Sequence, residues 1–197
     1  DGATSEGDFN EALNFAGVFS APVVLVVQNN GWAISVPRKK QSATFSFASR
    51  GEGFGIPAEL VDGNDILAVY DAMERAVERA RSGNGPTLIE TLTYRMGAHT
   101  TADDPTRYRD PAEVEEWQRK DPIARFQKFL IARGLLSEAM IDQMLADIEK
   151  EINEAVEVAE SIPAMAPDKP FDYTTAELSP RLQAQREDLL RYVKKQR

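Results

Sequence analysis

Two short polar segments of this sequence could together hold a hard cation and a phosphate. Asp1-Gly2-Ala3 offers a carboxylate followed by two small residues, and Asn29-Asn30-Gly31-Trp32 offers an amide oxygen and then a turn with a backbone carbonyl. Mg²⁺ takes oxygen ligands in octahedral geometry and completes its shell with waters and substrate phosphates. Gly2 and Ala3 leave room for a phosphate to approach the backbone, and a helix behind them would present free N–H groups to an anion. Asp-Gly and Asn-Asn-Gly are also the composition of ordinary turns. A third segment, Tyr94 to Asp110, contains the single histidine, His99, among Arg95, Thr100, Thr101, Asp103, Asp104, Arg107 and Arg109. Imidazole titrates near neutrality, which suits proton transfer. The alternative is a solvated loop stapled by Arg–Asp pairs, each worth little at a surface.

These segments need elements to position them. Asp8 to Phe19 reads as a helix with Phe9, Leu13 and Ala16 on one face. Pro22 to Gln28 is a continuous β-branched run, the pattern of a parallel strand covered on both sides. Residues 44 to 51 are a weak helix candidate, and Ala58 to Val61 is a short strand. Asp65 caps a helix that runs to about Arg81, with Leu67, Tyr70, Met73, Val77 and Ala80 on one face. Thr87 to Thr93 is a third strand. Strands alternating with helices predict an α/β fold with a doubly wound, mostly parallel sheet. Ligands in such sheets sit beyond the carboxyl ends of the strands, where all three polar segments fall. Asp110-Pro111 and Asp121-Pro122 each start a helix, with Asp at the cap and Pro at the first helical position. Ser137 to Glu160 is one long amphipathic helix with a row of Met140, Met144, Ile148 and Ile152. Residues 162 to 169 read as a linker and Ser179-Pro180 opens a last charged helix, so 1–136 is expected as the α/β domain and 137–197 as a C-terminal helical extension.

The chain has no cysteine, which excludes disulfides, thiolate zinc sites and a cysteine nucleophile. A net charge of -9, with only Arg38-Lys39-Lys40 as a basic cluster, argues against a nucleic-acid backbone binder. No apolar run is long enough for a membrane span. Asp1-Gly2 reads as the middle of a motif, so an N-terminal part is expected to be missing.

The stretch from Asp1 to Asp8 followed by Asn29-Asn30 resembles the thiamine diphosphate signature, Gly-Asp-Gly then helix and strand then Asn-Asn, with Asn30 standing 29 positions after Asp1. The segments NNGWAISVP, GFGIPAELVDGNDILAVYDA, GPTLIETLTYRMGAHTTADDPTRYR and WQRKDPIARFQKFL look like the α subunit of the decarboxylating component of pyruvate and branched-chain 2-oxo acid dehydrogenase complexes. The resemblance runs from Asp1 to about Leu136. It implies a thiamine diphosphate-binding fold in which Asp1, Asn30 and the Trp32 carbonyl coordinate Mg²⁺, and Gly2 and Ala3 contact the diphosphate. Arg95 and His99 would face the diphosphate and the active-site channel, while Asp103, Tyr108 and Arg109 would hold the loop in shape. The implied activity is oxidative decarboxylation of a 2-oxo acid, with acyl transfer to lipoyl and His99 as the proton-transfer residue. The loop GAHTTADDPTRYR resembles bacterial and archaeal chains acting on pyruvate, which often also accept branched-chain substrates. The implied partners are a β subunit in an α₂β₂ heterotetramer, without which the chain would be inactive, and a lipoyl-bearing acyltransferase. The implied location is the cytoplasm of a bacterium or archaeon, with an organelle as the alternative.

Other readings fit parts of the sequence. An acetoin-cleaving dehydrogenase would share the His99 loop, and a transketolase-like half would not. A Mg²⁺-dependent phosphohydrolase would use Asp1 with Asp103-Asp104, and an interaction module would be built on the helix from Ser137 to Glu160.

Overall fold

The computed structural model describes residues 1–196. It divides into two compact units, Asp1–Leu136 and the residues from Ser137 onward. The first unit is α/β. In chain order it has a 3-10 turn Gly2–Ser5, α1 (Gly7–Val18), β1 (Val24–Asn29), the short strands β2 (Trp32–Ala33) and β3 (Val36–Pro37), and a 3-10 turn Arg38–Lys40. There follow α2 (Ser49–Gly53), β4 (Ala58–Asp62), α3 (Ile66–Arg81), β5 (Thr87–Leu92), α4 (Pro111–Gln118) and α5 (Pro122–Ala132).

β1, β5 and β4 form a parallel sheet in that order, with β5 in the middle. Thr87, Leu88, Ile89 and Glu90 of β5 are all buried. Successive strand residues face opposite sides of a sheet, and Leu88 and Ile89 accordingly belong to two different cores. Leu88 packs with Leu13 and Ala16 of α1, Val27, Phe47 and Ile56. Ile89 packs with Val61 and with Ala72 and Ala76 of α3. Helices therefore cover both faces of the central strand.

The parallel strand expected from Pro22 begins at Val24, and it is an edge strand of this sheet. Its Val26, on the α3 side, is 49% exposed, so β1 is not covered on both sides along its length. The helix expected over residues 44–51 is confined to α2. The buried face of α3 agrees with the expected row only in part. Ala80 is buried and Met73 packs against the core, but Ala72 and Ala76 form the centre of the face, and Leu67 and Tyr70 are exposed. Small side chains allow α3 to lie close on the sheet, and the larger residues beside the stripe stay at the rim. Asp65 caps α3 by accepting from the Leu67 and Ala68 amides, as its position before the helix predicts. Asp110 and Asp121 cap α4 and α5 in the same way, each ahead of a Pro at the first turn.

The second unit contains α6 (Glu138–Ser161), a 3-10 turn Lys169–Tyr173 and α7 (Pro180–Gln196). Ser137 caps α6 by accepting from the Met140 amide at 3.3 Å. Met140, Met144, Ile148 and Ile152 form an exposed row along α6. The segment expected as a linker ends in a fixed contact, because Arg186 of α7 grips Asp168 through Nε at 2.9 Å and Nη2 at 2.6 Å. No helix of the described residues is long and apolar enough to cross a membrane.

The alanine stripe sets a prediction. Ala76 is 2% exposed against the sheet, so Ala76→Leu forces α3 outward. Urea unfolding of the complete protein is expected to show a loss of about 1–3 kcal/mol, the range for overpacking a core. An unchanged midpoint would mean that the stripe does not set the helix–sheet distance.

Candidate functional site

The register of β1 on β5 delivers the site. Pairing runs from Val24 with Thr87 to Asn29 with Leu92, so both strands end at the same edge. The chain leaving β5 stays beside the chain leaving β1: the Thr93 amide donates to the Asn29 carbonyl at 2.9 Å, and the Arg95 amide to the Asn30 carbonyl at 3.1 Å.

Asn29 and Asn30 each close a turn with their own side chain. Asn29 Oδ1 accepts from the Gly31 amide at 3.3 Å, and Asn30 Oδ1 accepts from the Trp32 amide at 3.0 Å. Gly31 has φ +84, a conformation that side chains other than glycine rarely adopt. The turn brings Asn30 against Asp1. The Asn30 amide donates to Asp1 Oδ1 at 3.3 Å, and Gln41 Nε2 donates to Asp1 Oδ2 at 3.0 Å. Thr4, buried in the turn after Asp1, fixes the Asp1 main chain by donating its hydroxyl to the Asp1 carbonyl at 2.7 Å.

Trp32 enters through its backbone. Hydrogen-bonded and non-bonded pairs alternate along an antiparallel ladder. The Arg38 amide donates to the Gly31 carbonyl at 2.8 Å, so the next pair, Trp32 with Pro37, does not exchange bonds. The Trp32 carbonyl is thus turned away from β3, and Pro37 has no N–H to offer it. Asp1, Asn30 and the Trp32 carbonyl are all hard oxygen donors. Among the described residues no three His, Cys, Asp or Glu side chains cluster, so a cation at this edge would need amide and carbonyl oxygens beside Asp1.

Gly2 has a packing role that its sequence position did not reveal. A Cβ there would lie 2.9 Å from Ala33 Cβ, so only glycine allows the first turn to rest on β2. A 3-10 turn separates Asp1 from α1, and Ala3 within it is exposed. The helix therefore does not begin directly behind Gly2 and Ala3.

Beneath this layer lies Glu90, which sequence reading missed. It is 1% exposed in the middle of β5. Its carboxyl group accepts from Asn29 Nδ2 at 2.7 Å, from the Ala48 amide at 2.8 Å and from the Ser46 hydroxyl. The available signal was an acidic residue inside the apolar run TLIETL.

The third polar segment is an ordered loop. Arg95 donates to the Ile34 carbonyl and to the Tyr108 hydroxyl at 3.0 Å. Tyr108 donates to Asp103 Oδ2 at 2.6 Å, and the His99 amide donates to the same oxygen at 2.8 Å. Arg109 donates to the Met96 carbonyl at 2.8 Å, to the Gly97 carbonyl at 3.2 Å and to the Arg95 carbonyl. The Tyr108 ring packs against Trp32 with centroids 5.3 Å apart. The Tyr108 hydroxyl and then the His99 amide hold the Asp103 carboxyl below its ordinary range, while Asp103 in turn raises Tyr108. Asp1 and Asn30 are thus brought together directly, and Trp32 and Arg95 join Asn30 through their main-chain amides, with the Arg95 guanidinium turned to Ile34 and Tyr108. His99 is joined to them only through its main chain, by way of Asp103 and Tyr108. Its imidazole is exposed and makes no hydrogen bond among the described residues.

Tyr108→Phe removes the hydroxyl that links Arg95 to Asp103. Hydrogen exchange over residues 96–104 is expected to quicken while global unfolding stays unchanged. Because Asp103 is depressed, the wild-type loop should keep its protection as pH falls through the ordinary carboxylate range, losing it only on protonation at lower pH. Equal exchange rates in the two proteins would remove Tyr108 from the loop's support.

Comparison with known proteins identifies a family for the chain. The model of the family described as dehydrogenase E1 component matches residues 1–168. The chain is 51% identical over 189 residues to the 3-methyl-2-oxobutanoate dehydrogenase subunit alpha of Mycobacterium tuberculosis, covering 96% of this chain and 52% of that protein. It is 48% identical over 195 residues to the pyruvate dehydrogenase E1 component subunit alpha of Acholeplasma laidlawii, covering 98% and 56%. Against the subunit of the same name from Staphylococcus aureus it is 52% identical over 160 residues, covering 79% and 43%. The chain spans about half the length of these relatives. On the extent of the family match and on these identities, the chain belongs to the dehydrogenase E1 component family.

Proposed function

We propose that this chain is the cofactor-gripping part of the α subunit of a thiamine diphosphate-dependent 2-oxo acid dehydrogenase. The observation that carries the reading is the convergence of the Asp1 carboxylate and the Asn30 turn at the carboxyl edge of the sheet. The oxygen donors there fit Mg²⁺, and the fold around them would be a doubly wound thiamine diphosphate-binding domain. When bound, the cofactor supplies the electron sink for decarboxylation of the 2-oxo acid. Asp1, Asn30 and the Trp32 carbonyl would hold the metal, with Gly2 and Ala3 beside the diphosphate. Arg95, fixed by Tyr108 and Ile34, would add positive charge near that anion. His99 would hold or deliver a proton during acyl transfer to a lipoyl group. A β subunit in an α₂β₂ assembly and a lipoyl-bearing acyltransferase are the proposed partners. The substrate would be pyruvate or a branched-chain 2-oxo acid, since relatives named for each stand at similar identity.

Of the three carboxylates in the phosphohydrolase reading, two are committed to the loop itself. Asp103 is engaged by Tyr108 and the His99 amide, and Asp104 caps the turn Pro105–Arg107 by accepting from the Thr106 amide and hydroxyl.

Two experiments use the complete α subunit assembled with β. Asp1→Ala removes a proposed metal ligand. Mg²⁺-dependent thiamine diphosphate binding should weaken by at least the about 10–100-fold typical of losing a mere outer partner. Unchanged metal-dependent affinity would sink the assignment.

His99→Ala should leave folding intact, because the loop is held through the His99 amide and not its imidazole. Activity with the lipoyl domain should fall by about 10²–10⁴-fold, the usual loss for general acid catalysis. An artificial electron acceptor that bypasses lipoyl should show a much smaller loss. Equal small losses in both assays would make His99 a bystander.

A further inference from the structure

We infer that Gln41 is a positioning residue for the Asp1 carboxylate, orienting it without neutralising it; the inference rests on the metal-binding role proposed for Asp1. Gln41 Nε2 donates both to Asp1 Oδ2 at 3.0 Å and to the Val36 carbonyl at 3.2 Å. The two acceptors fix which way the amide faces, since the reversed amide would set its oxygen against a carboxylate and a carbonyl. Gln41 Oε1 is consequently turned away, buried and without a hydrogen-bond partner. A buried unpaired acceptor costs stability, so this orientation is held at some expense to the fold.

The position of Gln41 is set by the same turn that carries Asn30. The Arg38 amide donates to the Gly31 carbonyl at 2.8 Å, and the Gln41 amide donates to the Arg38 carbonyl at 2.9 Å. Both oxygens of Asp1 are thereby referred to one local structure, Oδ1 through the Asn30 amide and Oδ2 through Gln41.

Charge gives the arrangement its purpose. Two guanidinium groups stand in neighbouring segments, yet the Asp1 carboxylate makes no ion pair among the described residues. Arg50 instead donates to the Thr4 carbonyl and lies 5.1 Å from the Phe47 ring centroid, and Arg38 lies 5.0 Å from that same centroid. A neutral donor keeps the carboxylate in place while leaving its full charge for a divalent ion. A lysine or arginine at position 41 would compete with that ion.

The test uses the complete protein in its native assembly, with Mn²⁺ as the probe and thiamine diphosphate present. Retained Mn²⁺ is read from the electron paramagnetic resonance signal of the free ion, and stability from thermal melting without metal. Gln41→Met keeps the length of the side chain and deletes both polar ends. Its melting temperature should hold, because the orphaned oxygen goes with the donor, while Mn²⁺ affinity falls by about 10–100-fold. Gln41→Lys should bind Mn²⁺ more weakly still, with no lower melting temperature than the Met variant, because the ammonium pairs with Asp1. A purely structural glutamine would lower both readouts together. Wild-type Mn²⁺ affinity in both variants would overturn the inference. Absence of metal-dependent cofactor binding in the wild-type protein would instead overturn the function proposed above, and this inference with it.

Discussion

A carboxyl group inside a buried parallel strand is costly unless donors surround it, and Glu90 has three. They come from β1, through Asn29, and from the segment leading into α2, through Ser46 and Ala48. That segment also carries Phe47, which is wholly buried in the core between α1 and the sheet. One side chain therefore ties the end of β1 to the centre of the fold. If β1 slipped along β5 by one residue, Asn29 would leave Glu90, and every β1 side chain would move to the other face. Asn29 also opens the turn that carries Asn30, so the placement of that turn depends on this buried contact.

From that fixed point the site is assembled by main-chain bonds between segments distant in sequence. The parallel register places the exit of β5 beside the exit of β1, and the Arg95 amide reaches the Asn30 carbonyl. The two-stranded ribbon of β2 and β3 then returns the chain, so that Gln41 meets Asp1 from one side while Ile34 receives Arg95 from another. Backbone bonds and the side chains of Asn29 and Asn30 hold these turns, and Asp1, Asn30 and Arg95 are half-buried whereas His99 is exposed.

Much of this was legible in the sequence because local rules governed it. Asp before Pro fixed the starts of α4 and α5, and Asp65 fixed the start of α3, since a cap needs only its own next few residues. The pairing of Asp1 with Asn30 was legible only as a spacing with a family likeness; residue types alone allowed ordinary turns. What escaped was decided by tertiary contact. The alanine stripe of α3 is buried because the sheet demands a close helix, although Leu67 and Tyr70 are the more apolar-looking face. Gly2 is needed for contact with Ala33, which lies 31 positions away in the chain. Gln41 sits on an undistinguished polar stretch, and its meeting with Asp1 depends on the β2–β3 ribbon, which is too short to carry a strand signal.

The loop around His99 separates support from chemistry. Asp103 takes its hydrogen bonds from a tyrosine hydroxyl and a backbone amide, and Arg109 donates to three consecutive residues' carbonyls. None of these bonds uses the imidazole. A histidine that held the loop with its ring would be fixed in one tautomer by its partner and unavailable to a substrate. Here the ring can be removed without loosening its own backbone, and Arg95 links the same network to the Asn30 turn. The loop therefore leaves the His99 ring unengaged while its backbone stays tied, through Asp103, Tyr108 and Arg95, to the edge that carries Asp1 and Asn30.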